Sequence, residues 1–263
     1  MLMLMNSGLL SIHNLLVVFI GIAMTGWTMA EPSTEITGTS RHQVKELPPT
    51  VAAETDNLHE RFWLYLPERY ARASKEAPMP LIIYLHGSSR RGRDIEKVKD
   101  NGLAPLMDER DDFEFVVASP QALSKYSWQR CWQPNDLLLL LDHLLATYHI
   151  DPKRVYLTGL SMGGYGTWAA IGEHPERFAA AAPICGGGDP AWAKAMGKLP
   201  IWAFHGDADQ VVPVELSREM VTAVEAAGGN AKLTVYPGVG HDSYTRTYAN
   251  PKLYEWFLKQ RRP

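Results

Sequence analysis

The sequence predicts an α/β protein with a doubly wound, mostly parallel sheet and helices on both faces. Short apolar runs alternate with longer helix-like segments from about residue 58 to the C-terminus. The later runs are continuously apolar, which is typical of parallel strands that are covered on both faces. Regular alternation of the two patterns favours one doubly wound domain, which we place at residues 58–263.

Seven apolar runs that end in turn residues are the predicted strands. They cover residues 61–66, 81–87, 113–120, 154–161, 179–186, 201–207 and 232–238. Three intervening segments predict helices, at residues 135–149, 162–174 and 214–229. Asn135 suits the N-cap of the first, and a Gly pair suits the C-terminus of the last.

The N-terminal residues differ in character from this domain. Residues 15–27 form an apolar run, and the small residues Thr28 and Ala30 around Met29 suit cleavage before residue 31. We therefore predict a signal peptide over residues 1–30 and a secreted or periplasmic protein. The alternative is a membrane anchor, but a spanning helix needs about 20 apolar residues and this run is shorter. Residues 31–57 are polar, contain a Pro pair and predict a flexible tether.

Composition excludes some functions and leaves one question open. Lys and Arg total 26 against 29 for Asp and Glu, a net charge of −3, so nucleic acid is not expected as a partner. The chain lacks an H-E-x-x-H pattern and two cysteines cannot form a zinc cage, so no metal or other cofactor is expected. Cys131 and Cys185 are compatible with either a disulfide or two free thiols, because spacing does not determine geometry.

The stretch Gly159-Leu160-Ser161-Met162-Gly163 ends a predicted strand and begins a predicted helix. A serine on such a tight turn presents its hydroxyl above the sheet, and the helix that follows offers free N–H groups to a developing negative charge. Asp209 and His241 each follow a later predicted strand, where the functional groups of doubly wound sheets gather. A serine needs an imidazole to take its proton, and the imidazole needs a carboxylate to orient it. Nucleophilic acyl transfer is the chemistry that these three residues predict.

The segments "LHGSS", "GLSMGGYGTW", "PICGGGD", "FHGDADQVVP" and "GVGHDSY" resemble the α/β-hydrolase superfamily. The resemblance covers residue 60 to the C-terminus and is strongest to bacterial esterases of the feruloyl-esterase and polyhydroxybutyrate-depolymerase-like group. It implies a serine carboxylic-ester hydrolase with Ser161 as nucleophile, His241 as base and Asp209 as acid. It also implies an oxyanion hole from the backbone N–H groups of Met162 and of the turn after residue 87, which we assign to Ser88. Many relatives have a second glycine where this chain has Ser89.

Nearby polar residues are interpreted as structural. Asp207 also follows the strand at 201–207, but an Asp at that point readily forms a turn hydrogen bond, and the family pattern places the acid at Asp209. His86 and His205 precede glycines at strand ends and are expected to brace loops by hydrogen bonds.

Aromatic residues near the predicted crevice are candidates for substrate binding, namely Trp128, Trp132 and Trp192. Packing beneath long loops is the alternative interpretation. The basic stretch at residues 90–93 is interpreted as a solvated loop in preference to a site for an anionic substrate.

Three functions follow as hypotheses. The first is an exported esterase acting on short or aromatic esters, either small molecules or groups attached to a polysaccharide, with no membrane contact after signal cleavage. The second is a serine peptidase of the prolyl-oligopeptidase type, which usually carries an extra domain that this chain has no room for. The third is a non-catalytic binding protein on the same fold, which an intact triad argues against.

Overall fold

A computed structural model describes residues 41–108, 110 and 113–263, so the predicted signal peptide lies outside the described residues. Its sheet has eight strands in the order β1-β2-β4-β3-β5-β6-β7-β8. The strands are β1 (His42–Glu46), β2 (Leu58–Tyr65), β3 (Met79–Leu85), β4 (Val116–Ala122), β5 (Ile150–Leu160), β6 (Ala180–Ile184), β7 (Pro200–Gly206) and β8 (Asn230–Tyr236). The first two strands pair antiparallel and β3 to β8 are parallel, which confirms the predicted mostly parallel sheet.

Helices cover both faces of this sheet. They are α1 (Pro49–Glu54), α2 (Ala104–Asp108), α3 (Pro134–Thr147), α4 (Met162–Glu173), α5 (Ala193–Met196), α6 (Val214–Ala226), α7 (Ser243–Ala249) and α8 (Pro251–Leu258). Within the described ranges, none of them has both the length and the hydropathy that crossing a bilayer requires.

Two apolar cores lie on opposite faces of the sheet, and β3 shows how one strand serves both. Leu81, Ile83 and Leu85 belong to one core, whereas Ile82 and Tyr84 belong to the other, and all five are fully buried. Successive strand side chains point to opposite faces, so a strand covered on both sides has to be apolar at every position. The continuous apolar runs in the sequence reflect this double burial.

The predicted tether is wrong over the part that the structure describes. Residues 42–46 form β1, which pairs antiparallel with β2, and residues 49–54 form α1. An edge strand is held by backbone hydrogen bonds along one side and needs few apolar side chains. A largely polar, alternating sequence can therefore form an edge strand, although its pattern does not predict one.

Candidate active site

Ser161 occupies the turn between β5 and α4 in a backbone conformation that few side chains adopt. Its φ is 54° and its ψ is −116°. Such a conformation costs a non-glycine residue about 1–3 kcal/mol, so the surroundings must hold it in place. Its N–H donates to the Ile184 carbonyl (2.9 Å) and its carbonyl accepts from Tyr165 N–H (3.0 Å). The turn is thus joined to β6 on one side and to α4 on the other.

Two glycines let β5, α4 and β3 approach each other at this turn. A Cβ atom on Gly159 would lie 2.4 Å from the Gly163 carbonyl oxygen, and one on Gly163 would lie 2.0 Å from the Leu85 carbonyl oxygen. Both distances are far below van der Waals contact. The glycines flanking the serine are therefore required by backbone packing.

Asp209 lies in the loop after β7, and its side chain is completely buried. One carboxylate oxygen, Oδ1, accepts the N–H groups of Val211 and Val212 at 2.9 Å each. Burial by itself would raise the pKa of Asp209, but hydrogen bonds from Val212, His241 and Val211 outweigh it and hold the pKa below its usual value. The carboxylate is therefore a buried anion at neutral pH.

His241 joins this carboxylate to the serine. Its Nδ1–H donates to Asp209 Oδ2 (2.7 Å), and its Nε2 lies 2.9 Å from Ser161 Oγ, in position to accept the hydroxyl proton. The loop before His241 is held against the end of β7, because Ala208 N–H donates to the Val239 carbonyl and Gly238 N–H to Asp207 Oδ1. The structure thus brings together the three residues predicted from the sequence. Asp207 has a structural role, but it joins the loop after β7 to the loop before His241 and does not form the local turn hydrogen bond that was predicted.

The segment after β3 lies beside the serine. A Cβ built on Gly87 would lie 3.8 Å from Ser161 Cβ, and Ser88 follows in a short 3₁₀ turn. Met162 is the first residue of α4, where backbone N–H groups have no acceptor within the helix. Both residues assigned to the oxyanion hole therefore border the serine.

His86 holds this segment in place, as expected from its position before a glycine at a strand end. Its Nδ1 lies 2.8 Å from the Gly87 carbonyl oxygen and its Nε2 accepts the Ala122 N–H at 3.0 Å. The carbonyl of Gly87 and the N–H of Ser88 belong to one trans peptide and point in opposite directions. By fixing the carbonyl, His86 fixes the direction of the Ser88 N–H.

Two of the three tryptophans predicted to bind substrate do not face the serine. Trp132 is buried in the core, where its ring lies 4.9 Å from that of His86 and its Nε1–H donates to the His86 carbonyl. Trp192 packs on Gly172 near the end of α4, roughly 15 Å along the helix axis from Met162. The substrate-binding prediction is wrong for Trp132 and Trp192, because core packing and distance remove them from the crevice.

Trp128 remains a candidate, and it contacts Tyr165, a residue that the sequence did not single out for substrate binding. Its ring meets that of Tyr165 edge-on at 5.1 Å, and both side chains are half-buried. Tyr165 lies one helical turn after the serine, and its pKa is raised by burial and by the Asp209 charge. Spacing from Ser161 along the helix was the signal that could have identified it.

Basic residues 90–93 contact protein groups. Arg91 Nε donates to the Ser88 carbonyl and its Nη1 to the Tyr126 carbonyl, so it ties the two loops together. Arg90 and Arg93 lie within 4.0 Å of Asp100 and Glu60. This stretch is a paired surface loop, as predicted in preference to an anion site.

The two cysteines are free and buried. Cys131 donates its thiol to the Leu123 carbonyl, whereas Cys185 follows β6 beside the active site. Ligand-type atoms of Cys185, Asp209 and His241 lie within 4.8 Å of one another. Burial raises the pKa of Cys185 to about 12, so it is a neutral thiol, and the other two groups already bond to each other. We assign no metal role to this cluster.

A mostly parallel sheet with a serine at a strand-to-helix turn, followed by an acid and a histidine after later strands, is the arrangement typical of the α/β-hydrolase class. The model of the dienelactone hydrolase family matches residues 114–254, more than half of the chain. The chain belongs to this family.

Similar proteins are mostly esterases. Poly(3-hydroxyalkanoate) depolymerase C of Paucimonas lemoignei is 30% identical over 45% of this chain and 30% of its own length. A bifunctional acetylxylan esterase/xylanase of Neocallimastix patriciarum is 31% identical over 54% of this chain and 21% of its own length. The crystal structure of a thermostable esterase superposes with a TM-score of 0.70 at 31% identity, covering 84% of this chain and 64% of that one. The chain thus spans less than two thirds of each of these proteins.

Proposed function

We propose that the protein is an exported serine carboxylesterase that cleaves short or aromatic esters through an acyl-enzyme intermediate. One observation carries this proposal: two successive hydrogen bonds, of 2.7 and 2.9 Å, connect Asp209 through His241 to the hydroxyl of Ser161. The relay formed by Asp209, His241 and Ser161 needs no cofactor, and its three members are the groups that acyl transfer requires.

In the first half of the reaction, Ser161 Oγ attacks the ester carbonyl carbon while His241 Nε2 takes the hydroxyl proton. Asp209 stabilises the resulting imidazolium without itself becoming protonated. The backbone N–H groups of Met162 and Ser88 stabilise the negative oxygen of the tetrahedral intermediate. His241 then protonates the leaving alcohol, and the acyl group remains on the serine.

In the second half, water replaces the alcohol. His241 removes a proton from the water as the oxygen attacks the acyl carbon, and it returns that proton to Ser161 Oγ as the acid leaves. The same imidazole acts as base and acid in each half. Its position between a buried anion and the serine serves both roles.

Short or aromatic esters are favoured by the segments around the serine. The connection from β6 to β7, residues 185–199, contains only one 3₁₀ turn and the four-residue helix α5. This leaves little chain for a lid that would cover a long acyl tail. The edge-on pair of Trp128 and Tyr165 offers an apolar surface for an aromatic ring.

Esters attached to a polysaccharide are a second source of the same chemistry. One relative is named an acetylxylan esterase/xylanase, and this supports testing acetylated and feruloylated polysaccharide fragments beside small esters. A peptidase of the prolyl-oligopeptidase type remains the alternative, and amide substrates belong in the same assay.

The test is hydrolysis of p-nitrophenyl acetate, p-nitrophenyl decanoate, methyl ferulate and a chromogenic aminoacyl amide by the wild type and Ser161→Ala. We expect turnover of the acetate and the ferulate, little turnover of the decanoate and none of the amide. Ser161→Ala should lower kcat by about 10⁴- to 10⁶-fold and retain the wild-type melting temperature. Amide cleavage without ester cleavage would favour the peptidase, and a fully active variant would rule out the assigned nucleophile.

Export is proposed from the sequence of residues 1–30. Expression of the full chain in a bacterial host, followed by N-terminal sequencing of the protein recovered outside the cytoplasm, tests it. The mature chain should begin at residue 31. Recovery of uncleaved protein from the membrane fraction would support the anchor alternative.

A further inference from the structure

A second histidine contacts the acid of the relay. His205 lies near the end of β7, four residues before Asp209, and its side chain is completely buried. Its Nε2 lies 3.2 Å from Asp209 Oδ2 and 2.9 Å from the Val212 carbonyl oxygen. Because both atoms opposite Nε2 are hydrogen-bond acceptors, this nitrogen carries a proton and donates.

The other ring nitrogen anchors His205 to the helix behind it. Its Nδ1 lies 2.7 Å from the Oγ of Ser217 on α6, and this hydroxyl also lies 2.8 Å from the Gly186 carbonyl oxygen. The ring is therefore held at both nitrogens. Its Nε2–H has two acceptors of its own, Asp209 Oδ2 and the Val212 carbonyl, and these do not depend on Ser217.

Asp209 Oδ2 thus faces two imidazoles. His241 donates to it at 2.7 Å and His205 approaches at 3.2 Å, while Oδ1 is taken by two backbone N–H groups. The second donor on this oxygen, His205 Nε2–H, withdraws part of the negative charge of Oδ2. It also fixes the plane of the carboxylate, and therefore the direction in which Oδ2 meets His241.

We propose that His205 is a positioning residue of the active site, which aims the Asp209 carboxylate at His241 and moderates its hold on the His241 cation. The inference rests on the proposed hydrolase function. The titratable groups that face His205 are Asp209 and His241, and Ser217 is the polar group on the helix behind it. Burial lowers the pKa of His205, and the hydrogen bonds to Val212 and Asp209 and the charge of Asp209 oppose this shift.

The test compares two variants that lack the donor with one that restores it. Leu at position 205 fills the space without a donor, and the amide of Asn is too short to reach Asp209. The amide nitrogen of Gln is the same number of bonds from Cα as histidine Nε2 and can replace it. Ser217→Ala is the matched control, because it loosens the His205 ring but leaves its Nε2–H beside Asp209.

We expect His205→Leu and His205→Asn to lower kcat by about 10- to 100-fold, as a small misplacement of the relay would. Both should move the midpoint of the acid limb of the kcat/KM profile to higher pH. Without the His205 donor, Asp209 Oδ2 stabilises protonated His241 more strongly. A higher pH is then needed to remove the proton from His241. His205→Gln should restore the wild-type midpoint and most of kcat.

An NMR titration of the His241 ring in the same variants gives the same midpoint without any turnover. It separates this inference from the proposed function, since an inactive wild type would refute the function and leave the titration readable. The inference is overturned if the donor-free variants keep the wild-type midpoint in both measurements. A lower melting temperature shared with Ser217→Ala, with no change in midpoint, would show that His205 only braces the loop.

Discussion

Acidification is expected to destabilise the protein through His86, which is fully buried beneath the segment assigned to the oxyanion hole. A backbone N–H can only donate, so the Nε2 that accepts the Ala122 N–H carries no proton. Nδ1–H is then the donor to the Gly87 carbonyl. The imidazole is neutral, and a second proton would face a hydrogen-bond donor and break the contact to β4.

The size of this effect follows from the pKa. Burial lowers the pKa of His86 to about 4, against the hydrogen bond to Gly87 and with the charges of Arg90 and Arg91, whereas an unfolded histidine has a pKa of about 6.5. Between these values the unfolded chain binds a proton that the native protein does not. The stabilisation is therefore complete above about pH 6.5 and is lost as the pH falls towards 4. The difference in pKa corresponds to roughly 3 kcal/mol.

Urea unfolding of the wild type and His86→Asn from pH 7.5 to pH 4 measures this pH-dependent contribution to the free energy of unfolding. The variant keeps a donor for Gly87 but leaves the Ala122 N–H unpaired, so at pH 7.5 it should be less stable by about 1–3 kcal/mol. That difference should shrink or reverse as the pH falls, because only the wild type loses the His86 contribution. His149→Asn, at an exposed position, should follow the wild type. A constant difference between wild type and His86→Asn at every pH would refute the reasoning.

Three further predictions concern the relay, the turn and the substrate. Asp209→Asn would place either an amide donor or a neutral oxygen opposite two imidazoles, so kcat on p-nitrophenyl acetate should fall by about 10³- to 10⁴-fold, whereas Asp207→Asn should leave it nearly unchanged. Gly163→Ala should lower the free energy of unfolding by about 1–3 kcal/mol or more, measured in urea, because its Cβ would overlap a strand carbonyl. Trp128→Ala should raise KM for methyl ferulate about 2- to 10-fold and leave KM for p-nitrophenyl acetate unchanged, with Trp192→Ala as the control.

One result would contradict each of these three predictions. Loss of activity in Asp207→Asn alone would move the acid by two residues. An unchanged unfolding curve for Gly163→Ala would mean that α4 and β3 are further apart than the structure has them. Equal effects of the two tryptophan variants on KM for methyl ferulate would remove the aromatic surface at Trp128 from the substrate site.

The fold and the order of the three relay residues were predictable because both depend on local patterns. Strands buried on both faces need apolar side chains at every position, so β3 and β5 to β7 stand out as continuous runs. Gly159 is required by a contact within one strand–turn–helix unit, whereas Gly163 is required by the approach of β3. Parallel strands bring their carboxyl ends to the same edge of the sheet, so the strand pattern alone predicts that Asp209 and His241 lie near the serine.

Elements that depend on partners far along the chain were missed. β1 is polar on one side and is held by pairing with β2, and α7 and α8 follow His241 without a clear helical pattern in the sequence. Backbone hydrogen bonds to a distant strand leave little trace in the pattern of side chains. The predicted tether was wrong for this reason.

Side-chain roles that depend on burial were decided by the tertiary structure alone. Trp128 and Trp132 are four residues apart in one loop, yet the half-buried Trp128 contacts Tyr165 on α4 and the buried Trp132 packs against His86. His205 was predicted only to brace a loop. In the folded protein its Nε2–H also reaches Asp209, because the loop that carries Asp209 and helix α6 both pack against the ring. The sequence by itself determined which chemical groups reach the end of the sheet. The packing of distant segments decided which of them touch, because contact depends on ångström-scale distances that no local pattern encodes.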